Sequence, residues 1–276
     1  MRRIFLLLSL LVAAVSTASA AEIPFRFTDG FICIEARVAS TGEPLNLVLD
    51  SGAGASVLSW RAAKRLKLKF GPAETVLSVG AEAVAYHLEP VKTTAGNVAL
   101  PPIPLAVDLS KAEELCSYRV DGLIGIDFFQ GRVVQIDYAH RCLRILESAP
   151  VLPTAEKLPI KMLNGMLCVP VGVNGSAPRW TRMDTGCNDA LHWVVPRPGL
   201  ANDRQGVTIG FITNPDDTSL TSVSLGSRTL GQVKTSLHSR PLFAGEAGLL
   251  GNGMLSRFTV TVDWPHRRVL LDRGAE

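Results

Sequence analysis

The chain has 276 residues, 47% hydrophobic and 19% charged, too apolar for a disordered segment and sized for one large domain or two small lobes. Its formal net charge of +3 is too weak for a nucleic-acid footprint, and three Tyr and four Trp offer few stacking surfaces for bases. No nucleic-acid partner is expected.

Arg2 and Arg3 precede an apolar run from Ile4 to Val15, which ends in Ser16-Thr17-Ala18-Ser19-Ala20. A basic start, a short apolar centre and an Ala-x-Ala end predict a signal peptide over 1–20, cleaved after Ala20, and hence a secreted or periplasmic protein. The run is shorter than the ~20 residues a bilayer span needs, and no later segment is long and apolar enough. No membrane span is expected. Without the two arginines, 26 basic and 25 acidic residues remain, so long-range steering of a charged partner is not expected.

Short β-branched or apolar runs between turn residues predict strands at Leu45–Leu49, Arg132–Asp137, Leu143–Leu146, Cys168–Val173, Thr259–Val262 and Val269–Leu271. A helix is predicted over Ser59–Lys69, with Ala62, Ala63 and Leu66 on one face and a solvated basic face opposite. A second is predicted over Leu109–Tyr118, with Ser110 as its cap. Ser148–Pro159 carries three prolines and reads as a linker. Asn174-Gly175-Ser176 fits both a glycosylation sequon and a hairpin turn.

The chain contains an internal repeat. Val120–Leu146 aligns without a gap on Glu246–Asp272 at an offset of 126, with seven identities: Gly122, Leu123, Gly125, Val134, Asp137, His140 and Arg141. Upstream, Leu47-Val48-Leu49-Asp50-Ser51-Gly52-Ala53 resembles Thr181-Arg182-Met183-Asp184-Thr185-Gly186-Cys187 at an offset of 134. Two homologous lobes follow, over 21–147 and 160–276, joined by 148–159. The repeated Asp137 and Asp263 precede turns and read as turn caps.

No HExxH, CxxC, GxSxG or P-loop sequence occurs. What remains is an apolar strand running twice into Asp-Ser/Thr-Gly. Glycine lets the backbone turn sharply, so the carboxylate projects from the strand end. A pseudo-twofold axis would set two such carboxylates side by side. Like charges that close share one proton, so one carboxylate can activate water while the other polarises a carbonyl. No metal and no cofactor are required.

These residues resemble the retropepsin and pepsin superfamily of aspartic proteases. The resemblance is carried by Leu49-Asp50-Ser51-Gly52-Ala53 and Met183-Asp184-Thr185-Gly186-Cys187. Each is completed downstream by an apolar-apolar-Gly signature, Leu123-Ile124-Gly125 and Leu249-Leu250-Gly251. It implies an all-β fold: two homologous retropepsin-like β-barrel lobes with pseudo-twofold symmetry and a few short helices, in a monomer. It implies an aspartic endopeptidase acting on a polypeptide bound in extended form. Asp50 and Asp184 would be catalytic, supported by Ser51, Gly52, Thr185 and Gly186, with Gly125 and Gly251 in structural ψ-loops. Ala53, Cys187, Asn188, Asp189 and Gly80 would line the substrate cleft. Flap hairpins are expected at Leu77–Leu88, with Gly80 near the tip, and at Thr208–Leu220, turning at Asn214-Pro215-Asp216-Asp217.

Cys187 stands where the family usually has Ala, and His192 follows five residues later. Two other readings therefore stay open: a catalytically inactive peptide-binding relative of the same fold, and a Cys187-dependent hydrolase. Five cysteines in an oxidising compartment permit disulfides. Cys116–Cys142 is the expected pair, with Cys33–Cys168 as the other candidate.

Overall fold

A computed structural model describes residues 21–78, 81–195, 217–240 and 242–273. The signal peptide expected over 1–20 lies outside the described residues. Strands dominate, as the β-branched runs require, and all six strands predicted above form, within one or two residues at each end.

Each repeat builds the same crossing of three strands. In the first, Gly122–Ile124 runs parallel to Pro44–Leu49 and antiparallel to Val57–Ser59. In the second, Gly248–Gly251 runs parallel to Arg179–Asp184 and antiparallel to Leu191–Val194. Val48 pairs with Leu123, and Arg182 with Leu249. These partners differ by the two offsets read from the sequence, 134 and 126. The aspartate therefore leaves each sheet at the same point of the same motif.

The two repeats share a six-stranded antiparallel sheet. At its centre Val133–Asp137 pairs with Thr259–Asp263, and Gln135 lies opposite its own repeat counterpart, Thr261. The side chains meet there, Gln135 Nε2 donating to Thr261 Oγ1 at 3.3 Å. A residue facing its own counterpart marks the pseudo-twofold axis. Cys142–Leu146 and Arg268–Asp272 flank the centre, and Ala21–Pro24 and Glu156–Pro159 form the edges.

That last strand corrects the linker. Glu156–Pro159 is the counterpart of Ala21–Pro24, ending in Pro159 where the other ends in Pro24. One of the three prolines that suggest a linker, Pro159, sits on a sheet edge, where a missing N–H is tolerated.

The helices are shorter than predicted. Trp60–Arg65 is capped by Ser59, whose Oγ accepts the Ala62 N–H at 3.1 Å, and the chain leaves at Lys67 with φ of 54°. Ala62 and Ala63 are buried. The basic face is exposed to solvent; from it Arg61 pairs with Glu113 and Arg65 with buried Asp121, at 2.5 and 2.7 Å. The second helix spans Ser110–Glu114, and Asp108, not Ser110, supplies the side chain, accepting the Ser110 N–H at 2.9 Å.

Ala73–Ser78 and Ala81–Val91 form a hairpin with Ser78 opposite Ala81, where the first flap is expected; Gly80 lies outside the described residues. So does the second expected flap as far as Asp216. From Asp217 the chain forms a strand, Asp217–Leu225, paired with Arg228–His238. Asn174 and Gly175 take left-handed φ values of 51° and 75°, and Ser176 N–H donates to the Val173 carbonyl at 3.0 Å, a tight turn within the longer connection between Met166–Val173 and Arg179–Asp184.

Apolar side chains from both repeats merge into one core containing Ile34, Leu47, Leu49, Ile124, Val134, Met183, Leu250 and Val260; a second cluster, with Phe31, Val48, Val57 and Leu123, fills the far side of the first repeat. All five cysteines are free thiols, so neither expected disulfide forms. Cys33 lies opposite Val48 and Cys168 opposite Arg182. Pseudo-symmetry makes those sites equivalent, which places them in different sheets. Cys142 lies opposite Pro24 and Asp137 in the shared sheet. Cys116 faces Tyr118 instead, as does Cys33.

Candidate active site

Asp50 and Asp184 come together at the pseudo-axis, 2% and 5% exposed, their carboxyl groups hydrogen-bonded to each other. Each is held by the amide two residues on: Gly52 N–H donates to Asp50 Oδ1 at 2.9 Å, and Gly186 N–H to Asp184 Oδ1 at 2.8 Å. Each carboxyl also packs on the other loop's glycine. A Cβ on Gly52 would lie 2.5 Å from Asp184 Cγ, and one on Gly186 would run into the Asp50 carboxyl. Glycine is required because the two loops approach so closely, not because of its φ.

The neighbouring hydroxyls lock the loops reciprocally. Ser51 N–H donates to Thr185 Oγ1 at 2.9 Å, and Thr185 N–H to Ser51 Oγ at 3.0 Å. Ser51 Oγ then donates to the Met183 carbonyl and Thr185 Oγ1 to the Leu49 carbonyl, both at 2.8 Å. All four bonds are buried and cross between repeats.

The ψ-loop glycines pin the loops from below. A Cβ at Gly125 would meet Ala55 C at 2.5 Å, and one at Gly251 would meet the Cys187 carbonyl at 2.7 Å. Beyond them, Ile126 N–H donates to the Ala53 carbonyl and Asn252 N–H to the Cys187 carbonyl. Ala53 and Cys187 are buried, because the residue after Asp-Ser/Thr-Gly turns under the loop to meet the Gly signature.

Asn188 is exposed, but its amide donates to the Asp29 carbonyl of the first repeat at 3.2 Å. Asp189 is half-exposed and bonded to His192 Nε2 at 3.0 Å. His192 Nδ1 meets His238 Nε2 at 2.9 Å. With both ring nitrogens engaged, His192 offers no base to Cys187. Burial, then the charges of Asp184 and Asp189, push the Cys187 thiol well above its ordinary range, so it stays protonated. The cysteine reading has no support.

Burial raises both aspartates, Asp50 most; the Asp184 charge and hydrogen bond raise Asp50 further. Asp184 is also raised by burial, but Arg182, the Gly186 N–H, the Asp50 hydrogen bond and His192 oppose the rise. Both shifts are upward, and two carboxyls this close titrate as one coupled pair.

The Arg182–Glu246 pair escaped sequence reasoning. Arg182, 1% exposed, forms a bidentate pair with buried Glu246 at 2.7 and 2.8 Å. Their repeat counterparts are Val48 and Val120, so a matched apolar-to-charged difference at both ends was visible in the alignment. Buried His192 likewise replaces Leu58. Asp137 and Asp263 do cap turns: Asp137 accepts from His140 and Arg144, and Asp263 from His266 and Arg268.

Residues 34–128 match a family model described as aspartyl protease. No curated protein sequence matches the chain. Among solved structures, the aspartic proteinase from Irpex lacteus matches with a TM-score of 0.57 at 11% identity, over 93% of this chain and 99% of that one; at that identity the likeness is one of fold. Over residues 34–128 the chain thus matches the aspartyl protease family model, and along its length it shares the fold of an aspartic proteinase.

Proposed function

We propose that this protein is an aspartic endopeptidase in which Asp50 and Asp184 activate water against a peptide bond. The observation that carries the reading is the reciprocal Ser51–Thr185 clasp, which holds the two carboxyls face to face, close enough to share one proton. Asp184 takes a proton from water as its oxygen attacks the scissile carbonyl carbon, and Asp50 gives its proton to the carbonyl oxygen. The neutral tetrahedral diol then collapses. Asp184 passes its proton to the departing nitrogen, Asp50 recovers one from a diol hydroxyl, and a carboxylic acid and an amine leave.

The substrate is a polypeptide in extended form, placed over the dyad by the hairpin of Ala73–Ser78 and Ala81–Val91. The enzyme acts outside the cytoplasm, after removal of 1–20. Two unlike halves, with Asn188 and Asp189 where the first repeat has Gly54 and Ala55, favour an asymmetric substrate. A mixed-sequence peptide library incubated across pH with wild type, Asp50→Asn and Asp184→Asn tests this. Cleavage by wild type alone supports it; no cleavage by wild type at any pH leaves the inactive peptide-binding reading.

A further inference from the structure

The second repeat keeps a buried ion pair that the first manages without. Arg182 and Glu246 are both 1% exposed at their side chains, and withdrawing two such charges from water costs several kcal/mol per ion before the pair forms. The first repeat packs Val48 and Val120 at these positions and builds the same motif. The fold therefore does not need the pair, and its geometry shows where it is directed. Glu246 occupies the Nε and Nη2 edge of the guanidinium, and Asn164 Nδ2 fixes Glu246 Oε1 at 2.9 Å. The Phe243 ring covers one face, 3.6 Å from Cζ. That leaves Nη1, which reaches across to the Gly52 carbonyl at 3.3 Å.

We propose that Arg182 is a positioning residue for the candidate dyad: a buried cation, anchored by Glu246, that holds the Asp50 loop through Gly52 and sets the pH range in which one carboxyl of the pair is ionised. The inference rests on the dyad reading above. Gly52 is the residue whose N–H holds Asp50 Oδ1, so the guanidinium contact and the carboxylate contact sit on the two peptide groups that flank one Cα. Arg182 lies on the strand that ends in Asp184, and its charge opposes the upward shift of both aspartates. The other titratable groups around the pair are Cys187 on the second loop, Asp189 beyond it and His192 on the strand Leu191–Val194; Cys168 faces Arg182 from the next strand, with Lys161 opposite it. Arg182 acts on both carboxylates from within the core, shielded from salt and solvent.

The test uses Arg182→Met/Glu246→Met, which leaves neither charge unpaired, beside Arg182→Lys, with an internally quenched peptide that wild type cleaves. The alkaline limb of kcat/KM reports loss of the shared proton. The double variant should move that limb up by about one pH unit and lower kcat about tenfold with little change in KM. Arg182→Lys keeps the charge but not the fork, so its limb should stay with wild type while kcat falls. An unmoved limb in the double variant, or the same displacement in Arg182→Lys, overturns the inference while the dyad stands. Cleavage that survives Asp50→Asn overturns the dyad itself, and the inference with it.

Discussion

Ser51 and Thr185, counterparts 134 positions apart, each accept the other's backbone N–H on a side-chain oxygen, at 2.9 and 3.0 Å. A contact between counterparts places them on the pseudo-twofold axis, as Gln135 and Thr261 are in the shared sheet. The axis thus runs from that sheet to the aspartate loops. Thr185→Ala and Ser51→Ala should each cost about 1–3 kcal/mol, since each strands buried donors and acceptors. Their double-mutant cycle should show coupling above about 0.5 kcal/mol. Urea unfolding measures both; additive losses would contradict the clasp.

The dyad should destabilise the fold at neutral pH. Burial raises both aspartates. A carboxyl whose folded-state pKa lies above its unfolded value gains stability as pH falls and loses it as pH rises. Asp50→Asn should therefore be more stable than wild type at pH 7, by on the order of 1–2 kcal/mol, with the gain shrinking toward acid. Thermal unfolding of both proteins from acid to neutral pH checks the sign.

Asp137 and Asp263 carry the opposite sign. Burial pushes each upward, but hydrogen bonds outweigh it, from Arg144 and His140 on Asp137 and from His266 and Arg268 on Asp263, and the net shift is down. Their stabilisation is full above the unfolded pKa near about 4 and is lost as pH falls through the lowered folded values. Asp263→Asn should be less stable than wild type at pH 7 and converge on it in acid. A constant difference at every pH would contradict the assignment.

Cys187 should be inert. It is buried, its thiol is raised, and His192 is committed to Asp189 and His238. Iodoacetamide on the folded protein should leave it unmodified, and Cys187→Ala should retain peptide hydrolysis while losing about 1–2 kcal/mol of stability. Loss of hydrolysis in Cys187→Ala with an unchanged fold would contradict this.

What the sequence showed and hid divides along the repeat. Elements present twice were legible: both aspartate loops, both Gly signatures and the strands between them, because two copies at fixed offsets rule out chance. Departures from the repeat were harder. Glu156–Pro159 ends the stretch whose three prolines suggest a linker, and it shares only a proline with its counterpart, Ala21–Pro24, so the repeat does not reveal the strand. Ala53 and Cys187 follow the aspartate loops directly, and chain order does not reveal that the Gly signature draws them under those loops. Arg182 and Glu246 lie 64 residues apart and meet only because Gly248–Gly251 runs parallel to Arg179–Asp184. Cys33 and Cys168 show the reverse error: equivalent sites in a pseudo-symmetric molecule lie apart unless the axis passes between them.

The central claim is that Asp50 and Asp184 share one proton and together hydrolyse peptides. It is tested most directly by the pH dependence of kcat/KM on a single cleaved peptide, for wild type and Asp184→Asn. Wild type should give a bell-shaped profile, failing in acid when both carboxyls are protonated and in base when both are ionised, and Asp184→Asn should have no measurable turnover at any pH. Turnover by Asp184→Asn above about 10% of wild type would contradict a catalytic dyad.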